Sequence, residues 1–248
     1  MKYRLIRIQE FDAYTNMALD EAILERVIKG ESLPTIRFYT WRPSSVSIGN
    51  FQGAEQEVNT KYCKSNSISI VRRITGGGSV YHDNKGEITY SVIAPEEWFP
   101  KGIVESYEEI CGWIVKALSN LGVKAVFKPI NDVHIDGRKV SGSAQTRRNR
   151  VLLQHGTVLY DADGEKIAML LKGRADKYDE KLTKSVKKRI TSVKDHCNAS
   201  KQELASALEK AFSEGKEIVI GDYDEKELAC AEVLAKEKYS REEWNYMR

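Results

Sequence analysis

Three consecutive glycines, Gly76, Gly77 and Gly78, constrain the fold of this chain more than any other segment. Each glycine loses more backbone entropy on folding than any other residue. A run of three after the β-like residues 68–73 therefore predicts a strand that ends in a tight turn. Such a turn offers positive φ angles and bare N–H groups, against which an anion or an acyl chain can lie close to the backbone. The alternative interpretation is a loose hairpin loop beside ordinary surface charges.

The residues that flank these glycines favour a ligand site. Arg72 and Arg73 precede them with guanidinium groups suited to phosphate or carboxylate, and His82 and Asp83 follow. The segment does not match the P-loop pattern, and Tyr81 stands where a dinucleotide fingerprint needs its third glycine. The flanks therefore indicate a binding turn that is not of a standard nucleotide type.

Helix-like and strand-like patterns alternate along the chain, without an internal repeat. Apolar spacing predicts helices over residues 16–30 and 104–121, and two capping boxes, at residues 200–203 and 224–227, predict two more. Strands are predicted over residues 1–8, 36–41, 45–48 and 88–94, and within the strand-rich stretch 123–160. We predict an α/β fold of the α+β type, a mixed sheet with helices packed on it.

Composition excludes several classes of protein. The chain has 248 residues, 41% hydrophobic and 30% charged, with a net charge of +3. These values are typical of a globular protein with one sizeable core and do not favour nucleic-acid or membrane binding. No apolar run approaches the roughly 20 residues that span a bilayer, and the N-terminus lacks a signal-peptide pattern. The four scattered cysteines suggest neither disulfides nor a metal site, so we expect a cytoplasmic protein with reduced thiols.

A second notable segment surrounds Lys139. Asp136 and Gly137 form a strong hairpin-turn signal, and Lys139 begins the return strand, whose residues 141–144 are small. Small side chains leave room for a ligand to lie against the strand. A lysine there can stabilise charge where a carboxylate and a phosphate join, or it can be a solvated residue at a strand end.

The histidines give a weaker signal. His155 interrupts an otherwise apolar strand, residues 152–159, and a lone histidine in such a run is more often a core residue than a site residue. His134 and His196 are predicted to be structural or surface residues. No Cys, His and Asp set has the spacing of a metal site, so metal ligands are not assigned.

Taken together, these segments resemble the lipoate–protein ligase family, within the fold group that also holds biotin ligases and octanoyltransferases. The matching residues, in the family's order, are Arg72, Arg73, Thr75, Gly76, Gly77, Gly78, Val80, His82, Asp83, Asn131, Asp132, Val133, residues 137–144, Gln154, His155, Gly156 and Thr157. Residues 185–192 are similar to a further family segment.

The resemblance implies an ATP-dependent, adenylate-forming ligase. Lipoic acid and ATP with Mg²⁺ would give lipoyl-adenylate, and the acyl group would then pass to a lysine of a carrier protein. Lys139 would be the catalytic lysine. The implied lipoyl-adenylate and ATP site comprises Arg73, Thr75, Gly76, Gly77, Gly78, Val80, His82, Asn131, Asp132, Ser143, Ala144 and His155. Asp132 and Asp83 are both candidates for contact with Mg²⁺.

The resemblance also implies partners. The expected carrier is the lipoyl domain of a 2-oxoacid dehydrogenase E2 component or the glycine-cleavage H protein. Residues 1–248 would form a single catalytic domain without the small C-terminal domain found in many such ligases, so a separate small accessory subunit is expected for adenylation.

Two alternatives remain beside the ligase. An octanoyltransferase or lipoyltransferase of this fold would use a cysteine nucleophile near the lysine segment. The approach to that segment, residues 128–132, contains no cysteine, and Cys111 lies on a predicted helix. On that ground we expect the ligase rather than the transferase. A non-catalytic acyl-binding module is the second alternative.

Overall fold

A mixed sheet of eight strands organises the structure, a computed structural model that describes residues 1–171, 185–186 and 188–248. The strands along the chain are β1 (Lys2–Phe11), β2 (Thr35–Trp41), β3 (Ser45–Ile48), β4 (Ser69–Arg72), β5 (Val80–His82), β6 (Glu87–Pro95), β7 (Ala125–Lys128), β8 (Asp132–Ile135), β9 (Arg138–Arg148), β10 (Val151–Leu159) and β11 (Glu217–Gly221). The order across the large sheet is β11-β1-β2-β6-β10-β9-β8-β7. β1 is parallel to β11 and to β2, and the remaining neighbours are antiparallel. The predicted mixed sheet is confirmed.

Helices cover both faces of this sheet. Along the chain the helices are α1 (Ala13–Ile28), α2 (Ala54–Glu57), α3 (Thr60–Ser65), α4 (Ile103–Asn120), α5 (Gly164–Leu170), α6 (Lys201–Ser213), α7 (Glu225–Leu234) and α8 (Glu242–Asn245), of which α1, α4, α6 and α7 pack on the large sheet. α4 and α6 bury one face in a core that includes Ile114, Leu208 and Phe212. α1 and α7 bury the other face around Leu19, Ile23 and Tyr39. Of the helices described, none is long and apolar enough to cross a membrane.

The strand register assigns side chains to one face or the other, because successive residues of a strand point to opposite faces. One row of paired residues, on the face toward α4 and α6, is Phe38, Tyr90, Gly156 and Ser143. The next row, on the face toward α1, is Arg37, Ser91, His155 and Ala144. A ligand site near His155 is therefore separated by the sheet from helix α4.

A smaller sheet lies on the α1 side. In it β3 pairs with β4 in parallel and with β5 in antiparallel fashion. Val46, Ile48 and Ile70 of this sheet pack with residues of α3 and α5 in a separate apolar cluster. The glycine turn, residues 76–78, connects β4 to β5 and thus lies at the end of this sheet, as the sequence predicts.

Local sequence signals locate most element ends. Both capping boxes form, at Ser200 with Glu203 and at Asp224 with Glu227, and Gly30 has a φ of 69° after the first helix. The predicted start of that helix at residue 16 is three residues late. Asp12 is its N-cap, because its carboxylate accepts the N–H groups of the next turn. Of the family-like segment 185–192, residue 187 lies outside the described residues.

Candidate active site

A cavity of about 240 Å³ opens between the large sheet and the small sheet. Ten of the residues expected from the sequence line it: Arg73, Gly77, Gly78, Val80, His82, Asn131, Lys139, Ser143, Ala144 and His155. Thr75, Gly76 and Asp132 do not line it but contact residues that do. The cavity thus gathers two segments that are some sixty residues apart in the chain, the glycine turn and the start of β9.

Lys139 supplies a partly exposed positive charge to the cavity. It follows the turn at Asp136 and Gly137, which have φ angles of 48° and 76°, and its backbone carbonyl accepts the N–H of Thr191 at 2.9 Å. Its Nζ lies 2.8 Å from Oδ1 of Asp132, and the lysine side chain keeps 40% of its exposure. An ammonium group that is anchored yet accessible can turn toward a negatively charged oxygen of a ligand.

The small residues of β9 leave space for this lysine as well as for a ligand. A Cβ atom added at Gly142 would lie 2.5 Å from both Cε and Nζ of Lys139. Asn131 secures the neighbouring loop, since its side chain donates to the carbonyl of Ser143 and its own carbonyl accepts from the N–H of Ser143. Asn131 and Asp132, which the resemblance implies face a nucleotide, contact the chain itself in this structure. Asn131 holds β9, and Asp132 holds Lys139.

We expect Gly142→Ala to lower activity without unfolding the protein. The added methyl group meets the flexible end of Lys139 rather than backbone, so the ammonium group must move, and a displacement of about 1 Å at a reacting centre can reduce kcat by about 100-fold. Steady-state kinetics and thermal melts measure both effects. Gly112→Ala is the matched control, because a Cβ there has no neighbour within 4 Å. Unchanged kcat in Gly142→Ala would show that the position of Lys139 is unimportant.

Arg73 fixes the shape of the glycine turn. Its Nη2 donates to the carbonyls of Gly76 and Gly78 at 2.8 and 2.7 Å, and a Cβ at Gly77, where φ is 91°, would lie 2.9 Å from the same nitrogen. Burial lowers the pKa of Arg73 to about 10, so the guanidinium is still charged at neutral pH. The sequence suggested that this group binds phosphate or carboxylate, but most of its donors are used on the chain itself.

A chain of buried side chains leads from Arg73 to helix α1. Arg73 Nε donates to Oγ1 of Thr75, which lies 2.7 Å from Nε2 of His155. His155 Nδ1 lies 2.8 Å from Oδ2 of Asp20, whose other oxygen accepts from Arg37. Because the Thr75 oxygen already accepts from Arg73, its hydrogen is free for Nε2, and His155 is then neutral with its proton on Nδ1. Burial lowers the pKa of His155, which agrees with this form.

A second chain leads from Arg73 in the opposite direction. Arg73 Nη1 donates to Oγ of Ser47 at 3.1 Å, and this oxygen lies 2.8 Å from Nε2 of His82. His82 Nδ1 lies 2.8 Å from Oε1 of Glu87, and the His82 ring stacks on Trp41 with centroids 3.8 Å apart. Because a carboxylate only accepts, His82 donates from Nδ1 to Glu87, and its Nε2 contacts the hydroxyl of Ser47.

Arg72 differs completely from its neighbour. Its guanidinium does not line the cavity. It donates to backbone carbonyls of the loop after β3 and of the C-terminal segment, those of Gly49, Asn50, Gln52, Trp244 and Asn245. The suggestion that both arginines face a ligand is therefore wrong for Arg72, which fastens the C-terminus to the small sheet.

The structure adds cavity residues that sequence reasoning did not select. They include Met17, Tyr39, Trp41, Ser47, Tyr81 and Thr89. Tyr39 and Trp41 form an aromatic wall, and each has its polar atom satisfied, Tyr39 by Asp20 at 3.2 Å and Trp41 by Thr89 at 2.7 Å. A wall of this kind suits an aliphatic chain. The buried β2 pattern that carries these aromatics was the only signal available in the sequence.

None of the four cysteines lines the cavity in the described part of the chain. Cys111 comes nearest through Ser143, whose Oγ lies 3.6 Å from its sulfur, but it belongs to α4 on the opposite face of the sheet. Burial raises the pKa of the Cys111 thiol to about 11. A protonated thiol on the wrong side of the sheet is not an available nucleophile.

The described residues include no group of three or more His, Cys, Asp or Glu side chains that could hold a metal ion. The two aspartates considered for Mg²⁺ have other partners. Asp83 accepts the N–H groups of Lys85 and Gly86 at 2.9 Å, and Asp132 pairs with Lys139. The chain itself therefore offers no preassembled Mg²⁺ site among these residues.

The chain is similar to known proteins over most of its length. The family model described as the lipoyl protein ligase A/B catalytic domain matches residues 12–213. The chain is 37% identical over 262 residues to the Octanoyltransferase LipM of Geobacillus kaustophilus, covering 94% of both chains. It is 33% identical to the protein of the same name in Brevibacillus brevis, covering 100% of this chain and 99% of that one.

Solved structures with the same fold include ligases. A bi-partite lipoate protein ligase from Thermoplasma acidophilum, described with its E2 lipoyl domain, has a TM-score of 0.88 at 33% identity and covers 99% of this chain and 96% of its own. A lipoate-protein ligase A bound with ATP has a TM-score of 0.85 at 31% identity, with 99% of both chains covered. The resemblance and the fold predicted from the sequence are confirmed.

The curated relatives contradict the prediction of an ATP-dependent lipoate ligase, because these full-length relatives carry the name octanoyltransferase. The error has a clear source. The glycine turn and the Lys139 segment belong to a catalytic domain that ligases and transferases share, so these motifs do not separate adenylation from direct acyl transfer. The absence of a cysteine from residues 128–132 therefore does not exclude transfer.

Proposed function

Since the chain belongs to the lipoyl protein ligase A/B catalytic-domain family, we propose that it is an octanoyltransferase. In this reaction an octanoyl group leaves the thioester of an acyl-carrier protein and forms an amide with a lysine of a lipoyl-carrier protein. The similarity to octanoyltransferases over nearly the whole chain supports this choice. The structural observation that carries it is a cavity with an aromatic wall and a lysine held by Asp132.

The cavity residues suit an aliphatic acyl group. We assign the octanoyl chain to the space along Tyr39, Trp41 and Ala144, with Gly77 and Gly78 permitting close approach to the backbone. Lys139 would turn its ammonium group toward the acyl carbonyl oxygen. A positive charge there stabilises the negative oxygen that develops when the carbonyl carbon is attacked.

The remaining expected residues are assigned supporting roles. Asp132 would hold Lys139, and Asn131 would hold the loop before β9. Arg73 would fix the glycine turn, and His155 would connect the cavity wall to Asp20 of helix α1 by a hydrogen bond. Val80 and Ser143 would complete the wall. No adenylate forms in this reaction, so ATP, Mg²⁺ and an accessory subunit for adenylation are not part of the proposal.

We propose that the acceptor is a lipoyl domain. The Thermoplasma relative was described together with its E2 lipoyl domain, and a lysine at the end of a long, flexible side chain can enter a cavity of this size. The glycine-cleavage H protein is the second carrier expected from the sequence, and its acylation can be compared with that of the lipoyl domain.

Transfer without ATP is the decisive result. Purified chain is mixed with octanoyl-acyl-carrier protein and an unmodified lipoyl domain, and intact mass spectrometry follows the domain. We expect one octanoyl group per domain with no nucleotide present, and none when the target lysine of the domain is replaced by methionine. A parallel reaction contains free lipoate, ATP and Mg²⁺ in place of the thioester. Modification in that reaction alone would overturn the proposal.

A further inference from the structure

One buried carboxylate, that of Asp20, contacts two residues of the cavity wall from behind. Asp20 belongs to α1, is 1% exposed and does not line the cavity. Its Oδ2 accepts a hydrogen bond from the hydroxyl of Tyr39 at 3.2 Å and lies 2.8 Å from Nδ1 of His155. Tyr39 and His155 both line the cavity, from β2 and β10. A single oxygen atom therefore holds two side chains of the wall.

The charge state of Asp20 decides the direction of these two hydrogen bonds. An ionised carboxylate only accepts, so both Tyr39 and His155 donate to it. Burial opposes ionisation of Asp20, but the charge of Arg37 and the hydrogen bond with His155 hold its pKa below the usual value. Burial and the charge of Asp20 raise the pKa of Tyr39 well above its usual value. The phenol therefore keeps the hydrogen that it donates.

We propose that Asp20 is a positioning residue that keeps the cavity wall apolar by drawing the polar hydrogens of Tyr39 and His155 away from the acyl chain. The inference rests on the proposed function, because it concerns the surface that would contact the octanoyl group. The second ring nitrogen of His155 is engaged by Thr75, which does not line the cavity. The polar atoms of both rings are thus used behind the wall, and ring carbon suits an aliphatic chain.

Asp20 is itself held in place by a buried guanidinium. Its Oδ1 accepts from Nη1 of Arg37 at 2.9 Å, and both side chains are almost fully buried. Arg37 also donates to the backbone and side-chain oxygens of Asn16 at 3.1 and 2.9 Å, and it lies 3.9 Å from the centroid of the Tyr39 ring. One carboxylate oxygen is therefore committed to Arg37, and the other is available for the wall.

Asparagine at position 20 would reverse these directions. Its amide oxygen would stay opposite Arg37, which only donates, so its NH2 group would face Tyr39 and His155. His155 would then accept at Nδ1 and carry its proton on Nε2, and the Tyr39 hydroxyl would lose its acceptor. A buried hydroxyl without an acceptor is unfavourable. We therefore expect the Tyr39 hydrogen to turn toward the cavity and weaken binding of the octanoyl chain.

The tautomer of His155 is measurable in the wild-type protein. Long-range proton–nitrogen correlation spectra of protein labelled at its histidine nitrogens distinguish Nδ1–H from Nε2–H, and His155→Gln identifies the signals. We expect Nδ1–H in the wild type and Nε2–H in Asp20→Asn. A wild-type His155 that is doubly protonated, or that carries its proton on Nε2, would overturn the proposal whether or not the Asp20 variant folds.

Kinetics provide a second, independent test. Asp20→Asn should raise KM for the octanoyl thioester about 10-fold and leave kcat within about two-fold of the wild type, the pattern of lost substrate binding. Tyr39→Phe keeps the ring and removes the hydrogen, so it should change KM by less than about two-fold. The double variant of Asp20→Asn with Tyr39→Phe should recover most of the wild-type affinity, which a merely structural role of Asp20 does not predict. No recovery in the folded double variant would contradict the proposal.

Glu21→Gln is the matched control. Glu21 follows Asp20 on α1 and is 3% exposed, but its carboxylate accepts from Lys238 and Tyr239, neither of which lines the cavity. This variant should melt at a lower temperature and keep the wild-type KM. An equal rise of KM in both variants would mean that general destabilisation explains the effect. If the wild-type chain transfers no octanoyl group at all, the proposed function fails instead, and the tautomer spectra still decide the role of Asp20.

Discussion

Replacing Lys139 by methionine is expected to reduce kcat for octanoyl transfer by about 100- to 1000-fold, the usual cost of losing one group that stabilises a developing oxyanion. Methionine keeps an unbranched apolar stem of nearly the same length and removes the ammonium group with its charge and donors. The pair with Asp132 is partly exposed, so its loss should change the free energy of unfolding by no more than about 1 kcal/mol. Quenched assays at saturating octanoyl thioester measure kcat, and thermal melts measure the change in stability.

A second lysine provides the control for this experiment. Lys194 Nζ lies 2.6 Å from Asp161 Oδ2, an ion pair like that of Lys139, but it does not line the cavity. Lys194→Met should therefore leave kcat within about two-fold of the wild type, as expected for a surface substitution away from the site. A Lys139→Met variant that keeps more than half of the wild-type kcat would remove Lys139 from the mechanism.

Short-range features were predictable because a few neighbouring residues determine them. The turn at Asp136 and Gly137 and the caps at Ser200 and Asp224 follow from local hydrogen bonds and permitted φ angles. They appear in the structure at the expected positions. The position of Lys139 was predictable for a related reason, whereas its catalytic role came only from the resemblance to the family. This lysine directly follows a turn whose register fixes where the return strand begins.

The environment of Arg73 was not predictable from local pattern. Its partners come from β3 and from the glycine turn, and through Thr75 and His155 it is connected to Asp20 of helix α1, which is 135 positions from His155 in sequence. No single segment indicates that a guanidinium next to glycines will bind their carbonyls instead of a ligand. Only the pairing of β3 with β4 brings Ser47 close enough to compete for it.

The face of the sheet on which a side chain lies explains two further differences between the sequence prediction and the structure. Cys111 and Ser143 are in contact, yet a ligand in the cavity and the Cys111 thiol are on opposite sides of the sheet. Tyr39 and Trp41 were predicted only as strand residues, because a strand buried on both faces shows no alternation that would mark one face as a site. Both conclusions require the register of β2, β6 and β10.

Replacing Arg73 by lysine is expected to impair acyl binding and stability together. Lysine retains the charge but cannot match a planar fork that donates to Thr75, Ser47 and the glycine turn at once. Buried acceptors left without a donor cost about 1–3 kcal/mol each, and a loss of that size lowers Tm by several degrees in a chain of this length. We also expect KM for the octanoyl thioester to rise by at least 10-fold, because the glycine turn would lose the group that fixes its shape.

The Arg72→Lys variant separates the effect on stability from the effect on acyl binding. Arg72 is as deeply buried as its neighbour, with its donors on backbone carbonyls such as those of Gly49 and Asn245, outside the cavity. This variant should lose stability by a comparable amount while KM of the folded fraction stays at the wild-type value. Differential scanning calorimetry through the melting transition measures the stability, and initial rates at temperatures below the transition give KM. An equal rise of KM in both variants would mean that Arg73 acts on general stability and does not shape the acyl site.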